Sequence, residues 1–178
     1  MLRLLPFILV AGISTMLFGQ EKKTGPIIKD FGKVWTIENT DYQIHADTEF
    51  KVVFDIMNTP EDLGQRNASI ETAARFLNMH AQKGVAKENM KVALVVHNKA
   101  SKDISTNEAY KDRYGVANPN SEMIVQLMDA GVEFIFCGQS SISRNFPIEE
   151  TIPGVQLSLS AMTALIQLQN DGYRLIKF

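Results

Sequence analysis

Short runs of β-branched and aromatic residues alternate along this chain with apolar residues spaced three and four apart, and this alternation restricts the fold more than any other feature. The run at 50–57 has too little in-and-out patterning for a strand with one wet face, so it is expected to be buried on both sides. Similar runs at 91–97, 132–137, 155–158 and 173–178 bring the expected strands to five. Between them, Ile70, Ala73, Ala74, Leu77 and Ala81 share one helix face, and Gly84 sits where that helix would stop. A second helix should start within Asn118-Pro119-Asn120-Ser121-Glu122, bury Ile124, Val125, Leu127 and Met128, and end at Gly131. A third follows Ser160, apolar at Met162, Leu165, Ile166 and Leu168, and closes at Asp171-Gly172; a weaker helical pattern covers 107–114. Strands alternating with helices imply right-handed crossovers, hence a single α/β domain with a mostly parallel five-stranded sheet and helices on both faces.

The 178-residue length suits one domain, and no internal repeat or second linker interrupts it. A formal charge of −2 gives no basic face for a nucleic-acid partner.

The first residues read as an address rather than as structure. Arg3 supplies a positive start, 4–18 is almost wholly apolar, and Gly19 precedes the polar Gln20-Glu21-Lys22-Lys23, which is the pattern of a secretory signal peptide over 1–19. The apolar run is shorter than the roughly 20 residues that cross a bilayer, so no stable membrane insertion is expected after cleavage. The protein is expected to be exported, periplasmic or secreted. Residues 20–48 read as an N-terminal arm, either a loop along the domain surface or a strand reaching another subunit, and 49–178 as the α/β domain.

In open parallel sheets, ligands bind where the loops leave the carboxyl ends of the strands. Polar residues replace apolar ones abruptly at those points: Asn58 and Thr59 after the first strand, His97, Asn98 and Lys99 after the second, Cys137-Gly138-Gln139-Ser140-Ser141 after the third, Ser158 and Ser160 after the fourth. Cys137 is the sole cysteine, so no internal disulfide forms, and in an exported chain it is either buried or kept for its reactivity. Gly138 lets the chain turn and offers backbone N–H groups that can hold a thiolate; the plain alternative is a small buried hydrophobe. His97 is a candidate base or hydrogen-bond partner if the second and third strands are neighbours, or else a strand-end residue bonded to a loop. Asn58, Asn98, Gly138, Gln139 and Ser140 are candidate ligand contacts. Ser140, Ser141, Ser143 and Arg144 read as a polar loop with capping hydroxyls, or less simply as an anion site. His45 and His80 share no ligand spacing, so no metal is expected, and the phosphate-loop, dinucleotide, nucleophile-elbow and zinc-protease motifs are missing, so no cofactor is expected either.

The ordered set Phe76-Leu77-Asn78, Val95-Val96-His97-Asn98, Gly131-Val132 leading to Phe136-Cys137-Gly138, Ile152-Pro153-Gly154-Val155, and Leu168-Gln169 before Gly172-Tyr173 resembles the DsrE/DsrF-like family from about residue 50 onward. The resemblance implies a small α/β sandwich, a homotrimer or homohexamer, a link to sulfur metabolism, and a sulfur donor or acceptor protein as partner. Members of this kind carry sulfur as a persulfide on a cysteine after the second strand, where this chain has none across 99–115. Cys137 instead resembles the Cys-Gly turn of a less characterised, often exported branch. Two readings follow: sulfur binding or transfer through Cys137 with His97, or a non-enzymatic oligomeric module that binds a small ligand or partner.

Overall fold

The computed structural model describes residues 21–177. The expected signal segment lies outside them, and no helix among the described residues is long and apolar enough to cross a membrane. The strands are β1 (Phe50–Ile56), β2 (Met90–Val96), β3 (Glu133–Cys137), β4 (Gln156–Ser158) and β5 (Arg174–Ile176). They form one sheet in the order β4-β3-β2-β1-β5, and every pairing is parallel. The expected five-stranded parallel architecture is therefore what forms.

The helices are α1 (Ala68–Gln82), α2 (Asn107–Tyr114), α3 (Ser121–Asp129), α4 (Gly138–Arg144) and α5 (Ala161–Asn170). On one face of the sheet, α1 and α3 bury Ile70, Leu77, Ile124 and Leu127 against Val52, Phe54, Leu94 and Phe136. On the other face, α5 lays Ala161, Ala164 and Leu168 over Val53, Ala93, Val95 and Cys137. Small residues dominate this second layer, so the α5 backbone approaches the sheet closely and its first turn sits beside the end of β3.

Three expectations need correction. The serine-rich stretch after Cys137 is the helix α4, with Ser140 and Ser141 buried, not a polar loop. Val125 is 44% exposed because the buried stripe of α3 runs through Met123, Ile124 and Leu127. Met162 and Ile166 are 73% and 58% exposed, since the single α5 turns Ala161, Ala164 and Leu168 to the sheet with Leu165 partly buried beside them.

The arm runs as a loop along α1. Ile28, Phe31 and Val34 are buried, and the buried amide of Asn78 both accepts from Ile28 N and donates to the carbonyls of Ile28, Phe31 and Gly32. Gly32 has a positive φ of 70°, and a Cβ there would sit 2.5 Å from the carbonyl carbon of Ala74, so only glycine lets the arm lie this close. One buried side chain thus replaces the ladder that a strand would have supplied.

Candidate functional site

The carboxyl ends of β2 and β3 bring Cys137 and His97 onto the same face. Val96 pairs with Phe136, so His97 and Cys137 are neighbours one step further along strands that lie about 4.8 Å apart. Cys137 also pairs with Ser158 of β4. The chain turns directly from β3 into α4, with Cys137 as the N-cap residue in extended geometry. The turn depends on Gly138, because a Cβ there would meet the Ser158 carbonyl oxygen at 2.7 Å.

Cys137 is buried and unpaired. Burial pushes its thiol pKa up, but the amide and hydroxyl of Ser140 and the amides of Ala161 and Gln139 outweigh burial and bring it below the ordinary value. The side chain closes no capping hydrogen bond with the first turn of α4, so these groups act as oriented dipoles that favour an anion on sulfur. Three come from α4 and one from α5, whose first turn begins at the hydroxyl of Ser160, which accepts from Thr163 N. The hydroxyl oxygen of Ser140 accepts from Asn98 N at 2.9 Å, which leaves its own proton to turn toward sulfur.

Asn98 has a left-handed φ of 55°, a conformation asparagine tolerates better than most residues. Its side-chain oxygen accepts from Arg144, which closes α4 against the loop after β2. Asn98, Gly138, Ser140 and the backbone of Gln139 are therefore assembled around the thiol. The side chain of Gln139 is exposed and reaches the carbonyl of Leu159 instead.

Asn58 is not brought there. It is exposed, and its carbonyl accepts from Asn67 in a separate polar network. In that network Asp103 accepts from Thr59, Asn67 and Lys102 at 2.8, 2.6 and 2.9 Å. Burial lowers the pKa of the Lys102 ammonium, but bonds to Asp103 and Tyr110 more than restore it, so the ammonium keeps its charge. This network fixes the segment 98–104 that follows β2, and so fixes where Asn98 stands.

Two site residues escape a motif search. Asp55 Oδ1 lies 2.7 Å from His97 Nε2, and Asp55 Oδ2 lies 2.8 Å from Lys177 Nζ. Burial raises the carboxyl pKa of Asp55, but these two partners overcome it and hold it below the usual carboxylate range. With Nε2 donating to Asp55, a neutral His97 keeps Nδ1 as its open lone pair. Asp55 was detectable in principle, since it is the one carboxylate inside the apolar run 50–57 and a buried carboxylate needs partners. Lys177, near the chain end, carries no such signal. No cluster of three or more His, Cys, Asp or Glu suited to a metal occurs among the described residues.

The model of the DsrE/DsrF-like family matches residues 51–178. No curated protein matches the chain. Among solved structures, the chain resembles a protein of unknown function, MTH1491, from Methanobacterium thermoautotrophicum, with 16% identity and a TM-score of 0.56; the alignment covers 72% of this chain and 99% of that one. It also resembles the ychN protein from E. coli, with 17% identity, a TM-score of 0.54 and the same coverage. At these identities the likeness is one of fold.

Proposed function

The chain belongs to the DsrE/DsrF-like family, and we propose that it is an exported sulfur carrier that takes one sulfane sulfur onto Cys137 and passes it to an acceptor thiol on a partner. The observation that carries this reading is the position of Cys137, an unpaired thiol at the carboxyl end of β3 and the N-cap of α4, one strand from His97, whose Nε2 is held by a carboxylate.

The chemistry needs no external oxidant or reductant. His97 Nδ1 takes the thiol proton, and the Cys137 thiolate attacks the outer sulfur of a donor persulfide. One S–S bond forms on Cys137, the donor's S–S bond breaks, and the donor leaves as a thiolate. The terminal sulfur anion on Cys137 is then held by the amides of Gln139, Ser140 and Ala161, and attack by an acceptor thiolate reverses the exchange. Near-complete burial of the thiol suits this role, since it shields the sulfur from random oxidation after export. Export itself rests on the sequence pattern of 1–19.

Self-association belongs to the same reading. Ile142, Leu157, Leu159, Met162 and Ile166 are each more than half exposed, and they border the edge strand β4 and the outer side of α5, next to the thiol. A second copy seated there would cover an unusual apolar surface and narrow access to Cys137.

The test is intact-mass analysis of the reduced protein after incubation with a low-molecular-weight persulfide donor. Gain of the mass of one sulfur atom on wild type, lost in Cys137→Ser, is the expected result; an unmodified thiol rejects the carrier role. Burial of the thiol also favours a second reading, a non-catalytic binding module, under which Cys137→Ser would retain biological activity.

A further inference from the structure

At the opposite edge of the molecule the fold leaves a groove. The sheet extends to β5, but α1 and α3 cover only its middle strands on that face, so a groove opens between α1 and β5, lined by the partly exposed Phe50, Met79 and Ile176 over the buried rings of Phe54 and Phe76. Two features distinguish this groove from an ordinary apolar gap. Its volume is about 670 Å³, within the range of small-molecule sites. No carboxylate lines it, and the ionised group at its wall is Arg75.

Arg75 bonds only to uncharged partners, the carbonyl of Ala68 and the hydroxyl of Thr72, and it forms no ion pair among the described residues. Arg174 shares the same face, in register with Val52, and is likewise unpaired there. His80 stacks on Phe76 at the groove's end; burial lowers its pKa, so it adds aromatic surface rather than charge at neutral pH. In a chain with a net negative charge, an aromatic trough walled by arginine is complementary to an amphipathic anion.

We propose that this groove binds a single-chain amphipathic carboxylate, such as a medium- or long-chain fatty acid, with the chain on Phe50, Met79 and Ile176 and the carboxylate on Arg75. It lies on the other sheet face from Cys137, so it is independent of the sulfur-carrier reading.

The experiment is displacement of a fluorescent polyene fatty acid from the purified protein by dodecanoate, with uncharged dodecanol as comparator. Saturable displacement by dodecanoate is expected, with dodecanol about tenfold weaker, the loss of one charge-assisted contact. Arg75→Gln, folded by circular dichroism, should lose a similar factor for dodecanoate and none for dodecanol. If that variant fails to fold, Ile176→Gln at the open edge should weaken both ligands alike. Absence of saturable displacement, equal affinity for acid and alcohol, or no effect of the folded variants overturns the proposal. So does a ligand-free oligomer in which hydrogen exchange shows 68–80 protected by a second copy.

Discussion

Asp55 holds His97 from one side and Lys177 from the other, with oxygen-to-nitrogen distances of 2.7 and 2.8 Å. This arrangement runs along the ends of β2, β1 and β5 and leaves an imidazole committed to a carboxylate at Nε2, one strand over from the buried thiol that ends β3. The carboxylate does not touch the sulfur. Its effect is on which tautomer His97 adopts and where the ring stands.

Asp55→Asn tests that positioning role. The amide keeps the size but no longer fixes the tautomer, so Cys137 alkylation at neutral pH should slow by about tenfold, a modest fraction of what a positioned base contributes, while the mass-shift site remains Cys137. The same variant changes acid stability. A carboxyl held below its unfolded value contributes stability that is fully present above that unfolded value, near pH 4, and is lost as pH falls through the lowered folded value. Urea melts between neutral pH and strong acid should show a shallower decline for Asp55→Asn than for wild type.

Gly138→Ala addresses the turn. The added methyl meets the Ser158 carbonyl oxygen at 2.7 Å, and backbone has to move to relieve it. A loss of about 1–3 kcal/mol by denaturant melting is expected, the range for overpacking. The thiol should also titrate higher, because the α4 amides are displaced from it.

Much of this was legible in the sequence, and the reasons differ by element. The doubly buried runs at 50–57 and 91–97 announced the central strands, because only a parallel sheet with both faces covered buries such residues continuously. α4 was not legible: seven residues rich in serine carry no apolar stripe, and the helix exists because Gly138 permits the turn and Asn98 and Arg144 tie its two ends to the loop after β2. The exposure of Met162 and Ile166 was equally hidden, since periodicity gives a helix its apolar residues but not the number of surfaces that will cover them. At the site, Cys137, His97, Asn98 and Ser140 are neighbours by strand-end position alone, whereas Asn58 belongs to a network built by Asp103 and Asn67, a tertiary arrangement with no local signal.

Asn78 governs the arm. Asn78→Ala removes four hydrogen bonds to 28–32 from a fully buried site, and a cost of about 1–3 kcal/mol is expected, since the freed arm carbonyls can recover water. Limited proteolysis should cut within 21–48 sooner than in wild type, while the remaining domain stays protected.

Met162→Asp combined with Ile166→Asp puts two charges on the exposed side of α5. If a second copy covers this side, light scattering will report a smaller assembly with unchanged circular dichroism; an unchanged mass would assign any oligomer to another surface.

All of the proposed sulfur chemistry depends on an anion being stabilised on the Cys137 sulfur. That stabilisation is tested most directly by following thiolate absorbance and iodoacetamide reaction rate of the sole cysteine across neutral and alkaline pH. The expected midpoint lies below that of an ordinary cysteine thiol, and native stability is expected to rise with pH from that lowered value up to the unfolded thiol's value, a rise absent from Cys137→Ser. A midpoint at or above the ordinary thiol value, with stability flat through that window, would contradict it.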